Sequence, residues 1–143
     1  MLTFCDVLMK KIIFLLSLIL SLRATEYAVI AHQKLNLVDS SQLKIKMIFL
    51  KKQKILEETT LLPINLEVSN KIRKSFEKNV LHMSRHRLKS FWTKAHYQGK
   101  RPPLNMKSTQ SVLSFVQKIQ GAIGYIPLTD VTQNVRIIYK WKE

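Results

Sequence analysis

The segment Gly121-Ala-Ile-Gly-Tyr-Ile-Pro127 constrains the fold more than any other part of the sequence. It follows a run from Ser108 to Gln120 that places Val112, Phe115, Val116 and Ile119 at helical spacing, so that run has one apolar face. The segment itself is apolar and reads as a strand. A helix that feeds an apolar strand within a few residues must pack back onto the sheet that holds the strand. Gly121 stands where a helix C-terminal glycine belongs, so a left-handed conformation is expected there. Gly124 lies inside the strand, where a missing side chain implies close approach of another element.

The rest of the chain repeats this alternation. Strands are expected at 26–31, 62–67, 122–126 and 135–140. Helices are expected at about 40–49, 70–81, 85–97 and 109–119, with a loop carrying Gly99 to Pro103. Asp39, Ser69, Ser84 and Ser108 each precede a periodic run, and their side-chain oxygens suit the unpaired amides of a first helical turn. Pro102 and Pro103 cannot continue a helix and favour extended backbone. In the 85–97 helix, Leu88, Phe91, Trp92 and Ala95 form the apolar stripe, and Trp92 is expected to be a buried anchor. Arg85, Arg87, Lys89 and Lys94 fall mostly on the outer face. The result is an α/β class: a mixed sheet of about four strands covered by about four helices.

The N-terminus reads as a secretory signal, residues 1–24. Lys10 and Lys11 supply the positive region, Ile12 to Leu20 the apolar core, and Leu22-Arg-Ala24 the cleavage segment. Met9, directly before the positive pair, is the more usual starting point for such a signal. An uncleaved anchor is the competing reading, since Arg23 is not ideal beside a cut. Cleavage leaves a single domain at 25–143, with no cysteine because Cys5 departs, so one hydrophobic core must hold it. The chain carries 24 Lys and Arg against 9 Asp and Glu, a net +15. Loss of Lys10, Lys11, Arg23 and Asp6 with the signal still leaves about +13. Such charge attracts anions and anionic surfaces without choosing among them. It is equally the mark of a lysine-rich surface that keeps a protein soluble. Export argues against nucleic acid as the partner.

The order of segments resembles the second lobe of periplasmic phosphate-type solute-binding proteins of ABC transporters, in a short single-lobe branch. Tyr27-Ala-Val-Ile-Ala-His32 is similar to the strand entering that lobe. Ser41 to Leu50 is similar to a short helix ending Ile-Phe-Leu-Gly, with Lys51 in place of the glycine. The tryptophan usual a few residues later is absent. Pro63-Ile-Asn-Leu66, Arg73 to Leu81, Leu88 to Trp92 and Arg101-Pro-Pro103 have counterparts as well, so the likeness covers most of 26–140. In that family a Ser-Gly-Thr sequence caps the helix near residue 70, and its hydroxyls and amides bind the anion. The matching stretch here is Ser69-Asn70-Lys71: the serine is kept, the Gly-Thr is not. The family's preceding arginine is replaced by Leu66 or Glu67, and Glu67 would repel phosphate. The resemblance implies a weak anion seat at Ser69, Asn70, Lys71 and Arg73, although Arg73 reads equally as a solvated helix residue. Only one of the family's two lobes has residues here, so the chain supplies half a cleft.

No catalytic constellation emerges from the sequence. Glu57 and Glu58 are adjacent and point apart on regular structure. His82 and His86 have the spacing of a helical metal pair, but Ser84 between them reads as a helix start. No cofactor is implied. The expected function is therefore non-enzymatic: phosphate or other oxyanion binding, or an accessory role with an ABC transporter permease. The rival is a basic module that docks on a partner protein or an anionic membrane surface.

Overall fold

The structure is a computed structural model that describes residues 3–20 and 24–143. Leu22 and Arg23 of the expected cleavage segment lie outside the described residues. The N-terminal helix α1 spans Phe4–Leu20. Phe4, Val7, Leu8, Met9 and Ile12 to Leu16 expose their apolar side chains along it. Among the described residues, no helix is long and apolar enough to cross a membrane.

The first strand, β1 (Glu26–His32), is buried from Tyr27 to Ala31. A strand apolar on both faces belongs in the middle of a covered sheet. It lies between β6 (Ala122–Pro127) and β7 (Val135–Lys142) and is antiparallel to both. On the far side of β6 come β4 (Leu62–Leu66) and then β5 (Leu104–Met106), with β4 parallel to both neighbours. The five-stranded order is β5-β4-β6-β1-β7. The extended backbone expected at Pro102-Pro103 runs into β5, a strand too short and too exposed to show a periodic pattern. A small separate hairpin pairs β2 (Ile55–Leu56) with β3 (Thr59–Thr60).

Four further α-helices among the described residues lie close to the expected segments, α2 (Gln42–Phe49), α3 (Lys71–Phe76), α4 (Arg85–Tyr97) and α5 (Thr109–Lys118), and α2, α3 and α5 pack on the sheet. Ser84 and Ser108 cap α4 and α5 as expected. Asp39 and Ser69 do not cap. Asp39 adopts a left-handed φ of 44° and the helix starts later, with Ser41 accepting from the Lys44 amide. Asn70 displaces Ser69 because its Oδ1 reaches the Ile72 amide at 2.8 Å. The expected 70–81 helix is also divided: α3 passes at Glu77 into a π-helical turn, Glu77–Leu81, closed by His82 with φ 50°. Ser84 then starts α4, so His82 and His86 lie in different elements. No set of three or more His, Cys, Asp or Glu among the described residues is placed to hold a metal.

Alternation along β6 organises the core, because neighbouring strand residues face opposite sides of the sheet. Gly124 faces α5, where an added Cβ would collide with Val112 Cγ1 and sit 3.5 Å from Val116 Cγ2. Tyr125 faces the other way, into an aromatic cluster. Its ring stacks on Phe76 at 4.2 Å, with Phe49 at 5.8 Å and Trp141 at 6.1 Å. Trp141 also stacks on Tyr27 at 5.1 Å and donates from Nε1 to Ser75 Oγ at 3.0 Å. The buried tryptophan is therefore Trp141. Trp92 is only half-buried, edge-on to Phe91 at 4.9 Å, because it borders an open crevice. Gly121 is not left-handed either. Its requirement is steric, since a Cβ there would run into the Thr60 carbonyl of the β2–β3 hairpin.

Candidate functional site

Open α/β sheets bind ligands outside the carboxyl ends of their parallel strands. In this chain that place is the end of β4, and it is held by buried polar contacts. The Tyr125 hydroxyl donates to Asn65 Oδ1 at 3.0 Å and accepts from the Leu66 amide at 3.2 Å. Burial pushes the Tyr125 pKa up, against smaller opposing effects from the Leu66 amide and Arg73, so the hydroxyl stays protonated.

Arg73, two residues inside α3, turns back onto this end. Its Nη1 donates to the Leu66 carbonyl at 2.7 Å and to Asn105 Oδ1 of β5 at 3.0 Å. Its Nε donates to Glu77 Oε1 at 2.8 Å. The same carboxylate accepts from Arg85 Nη2, at 2.7 Å on Oε2. Glu77 is buried at the first position of the π-helical turn, a kind of helix irregularity often found at functional sites. One carboxylate shared by two guanidiniums leaves a positive charge in surplus.

Asn65, Val68, Arg73 and Glu77 form one wall of a crevice of about 280 Å³. Arg85, Lys89 and Trp92 line another wall, at positions three and four residues apart and hence on one face of α4. Phe49, Leu50 and Leu88 supply apolar lining. Arg73, Arg85 and Lys89 outnumber Glu77, so the crevice is cationic. Among the described residues, Arg85 commits only Nη2 to protein, and Lys89 Nζ has no protein partner. Those nitrogens are donors not spent on protein acceptors.

Of the four residues singled out in the sequence, Arg73 alone lines the crevice. It is not a solvated helix residue, since only 11% of its side chain is exposed. Ser69 and Lys71 are exposed, and Asn70 spends its side-chain oxygen as the helix cap. Val68, directly before Ser69, does line the crevice, whereas Glu67 does not. Sequence reasoning missed Glu77, Arg85 and Lys89. The Arg73–Glu77 spacing of one turn was a usable signal, but Arg85 and Lys89 read as part of an outer basic face.

No protein-family model matches the sequence, and neither does any curated protein. The fold does match solved structures. A protein assigned as a phosphate ABC transporter substrate-binding protein, from Clostridium perfringens and solved with bound phosphate, superposes with a TM-score of 0.67 at 18% identity. The match covers 80% of this chain and 44% of that one. An ABC-type phosphate transport receptor from Vibrio cholerae gives 0.65 at 14% identity, covering 80% and 46%. PstS from Borrelia burgdorferi gives 0.58 at 16% identity, covering 73% and 42%. The fold is that of a single periplasmic-binding-protein-like lobe, and the chain spans less than half the length of each of these structures.

Proposed function

We propose that this chain is an exported, non-enzymatic oxyanion-binding lobe of the phosphate-transport type, corresponding to the second lobe of the two-lobed binders. The observation that carries the reading is the surplus of donors around Glu77. Arg85 and Lys89 keep free nitrogens over a crevice at the carboxyl end of β4. The start of α3, Ser69 to Lys71, follows directly on Val68 of that crevice, and its helix dipole adds partial positive charge there, although the Asn70 and Ile72 amides are already spent on the Glu67 carbonyl and Asn70 Oδ1. Phosphate and sulfate fit such a seat by size and charge. One lobe encloses only half of a ligand, so binding is expected at about millimolar Kd, roughly 4 kcal/mol. A first lobe supplied by another chain, or contact with a transporter permease, would complete the cleft.

Residues 1–24 act as the export signal in this reading. N-terminal sequencing of the exported protein should begin near Thr25, and a mature chain that retains Ile12 to Leu20 would support an anchor instead.

Calorimetric titration with phosphate and with sulfate tests the binding. Arg85→Ala and Lys89→Ala should each weaken it several-fold while the protein stays folded. Unchanged heats in both variants would move the function elsewhere. The second reading, a basic module docking on a partner protein or anionic membrane, is favoured by the net charge of +15. It predicts salt-sensitive association without saturable phosphate binding.

A further inference from the structure

A second cationic site lies on a different part of the molecule. The C-terminal end of α2 is a Schellman motif: Lys52 N–H donates to the Met47 carbonyl at 2.9 Å and Lys51 N–H to the Ile48 carbonyl at 3.0 Å. The residue between helix cap and exit takes a left-handed conformation, and glycine is its usual occupant. Here it is Lys51, with φ 55°. Lys51 is also half-buried, and burial followed by the charge of Lys54 lowers its pKa. Backbone strain, partial burial and like-charge repulsion thus meet at one residue, a combination that a merely solvated lysine does not need.

The surroundings give this a direction. Lys51, Lys54, Lys100 and Arg101 line one groove of about 310 Å³ between the end of α2, the β2–β3 hairpin and the α4–β5 loop. No acidic side chain lines it. Among the described residues none of the four cations forms an ion pair. The β2–β3 hairpin carries two carboxylates, Glu57 and Glu58; Glu57 is hydrogen-bonded from Asn36 at 3.3 Å, and neither lines the groove. The groove shares no lining residue with the Arg73–Arg85 crevice.

We infer that this groove binds a multiply charged phosphate group, either a soluble polyphosphate or the phosphate headgroups of an anionic lipid surface. Four cations around one groove match several linked phosphoryl groups better than one small oxyanion, and binding relieves their mutual repulsion.

The probe is inorganic tripolyphosphate, added to the full chain and followed by backbone amide shifts. Saturable shifts should concentrate on residues 51–54 and 99–101. Lys51→Gly should weaken binding about fivefold, as expected for one cation near a phosphate surface. The same variant should leave the melting temperature unchanged or raised, because glycine relieves the left-handed backbone. Lys54→Ala, at an exposed position, should weaken binding by a similar factor. Sedimentation with phosphatidylglycerol vesicles separates the sources. Vesicle binding lowered by Lys54→Ala assigns the groove to headgroups, and vesicle binding insensitive to it assigns the groove to soluble polyphosphate. Tripolyphosphate affinity unchanged in both lysine variants, or shifts spread evenly over the basic surface, would overturn the proposal.

Discussion

Arg73 Nε lies 2.8 Å from Glu77 Oε1, one turn further along the helix, with 11% and 7% of the two side chains exposed. The pair ties α3 to the ends of β4 and β5, because the same guanidinium holds the Leu66 carbonyl and Asn105. Removing one partner of a buried pair leaves the other charge uncompensated. Glu77→Ala should therefore cost about 3–5 kcal/mol. A loss of that size should lower the melting temperature by on the order of 10 °C or more. A thermal melt that moves by only a degree or two would mean that the guanidiniums find water when the carboxylate is gone.

The two tryptophans should separate cleanly. Trp141 is buried, stacked on Tyr27 and hydrogen-bonded to Ser75, so Trp141→Ala should cost about 3–5 kcal/mol. Trp92 lines the open crevice and is half-buried, so Trp92→Ala should cost clearly less. Chemical denaturation of both variants checks the ordering. Equal losses would return Trp92 to the core.

Gly124→Ala places a methyl against Val112 Cγ1, a side-chain atom that can shift. Overpacking of that kind costs about 1–3 kcal/mol. Gly121→Ala meets the Thr60 carbonyl, which is backbone and cannot rotate away, so its loss of stability should be the larger. The comparison of denaturation midpoints decides whether steric fit, rather than conformational freedom, selects glycine at 121.

Alkaline pH should unfold the protein through its buried tyrosines. Burial raises the pKa of Tyr125, and burial followed by the Glu143 hydrogen bond raises that of Tyr27. Above pH 10 the unfolded chain loses these protons first, so the folded state binds more protons and stability falls as pH rises. The stabilisation is complete below pH 10, the unfolded value, and declines above it, by about 1.4 kcal/mol per pH unit for the deeply buried Tyr125, with Tyr27 acting in the same direction. Denaturant titrations between pH 9 and 11 should show that decline. A flat profile would mean that both hydroxyls ionise in place.

What could be read in the sequence was what local pattern controls. The Ser84 and Ser108 caps, the β1 strand and the close approach at Gly124 follow from hydroxyl position, a short apolar run and an interior glycine. The features that escaped depend on partners far along the chain. Arg73 meets Asn105 across 32 positions, and Trp141 meets Ser75 across 66. The roles of Arg85 and Lys89 turn on which side of α4 faces the end of β4, and no spacing within α4 encodes that. Gly121 looked like a helix end because the hairpin carbonyl that crowds it lies in a segment with little periodic signal of its own.

Phosphate titration of the full chain, followed residue by residue through backbone amide shifts, tests the central claim most directly. Saturation is expected near millimolar phosphate, with the largest shifts confined to residues 65–73 and 85–92 and lost in an Arg85→Ala, Lys89→Ala double variant. Arg73 is kept intact in that test, because its removal would orphan Glu77 and confuse binding with stability. Shifts that spread over every lysine-rich surface, or that persist in the double variant, would contradict an oxyanion seat at the end of β4.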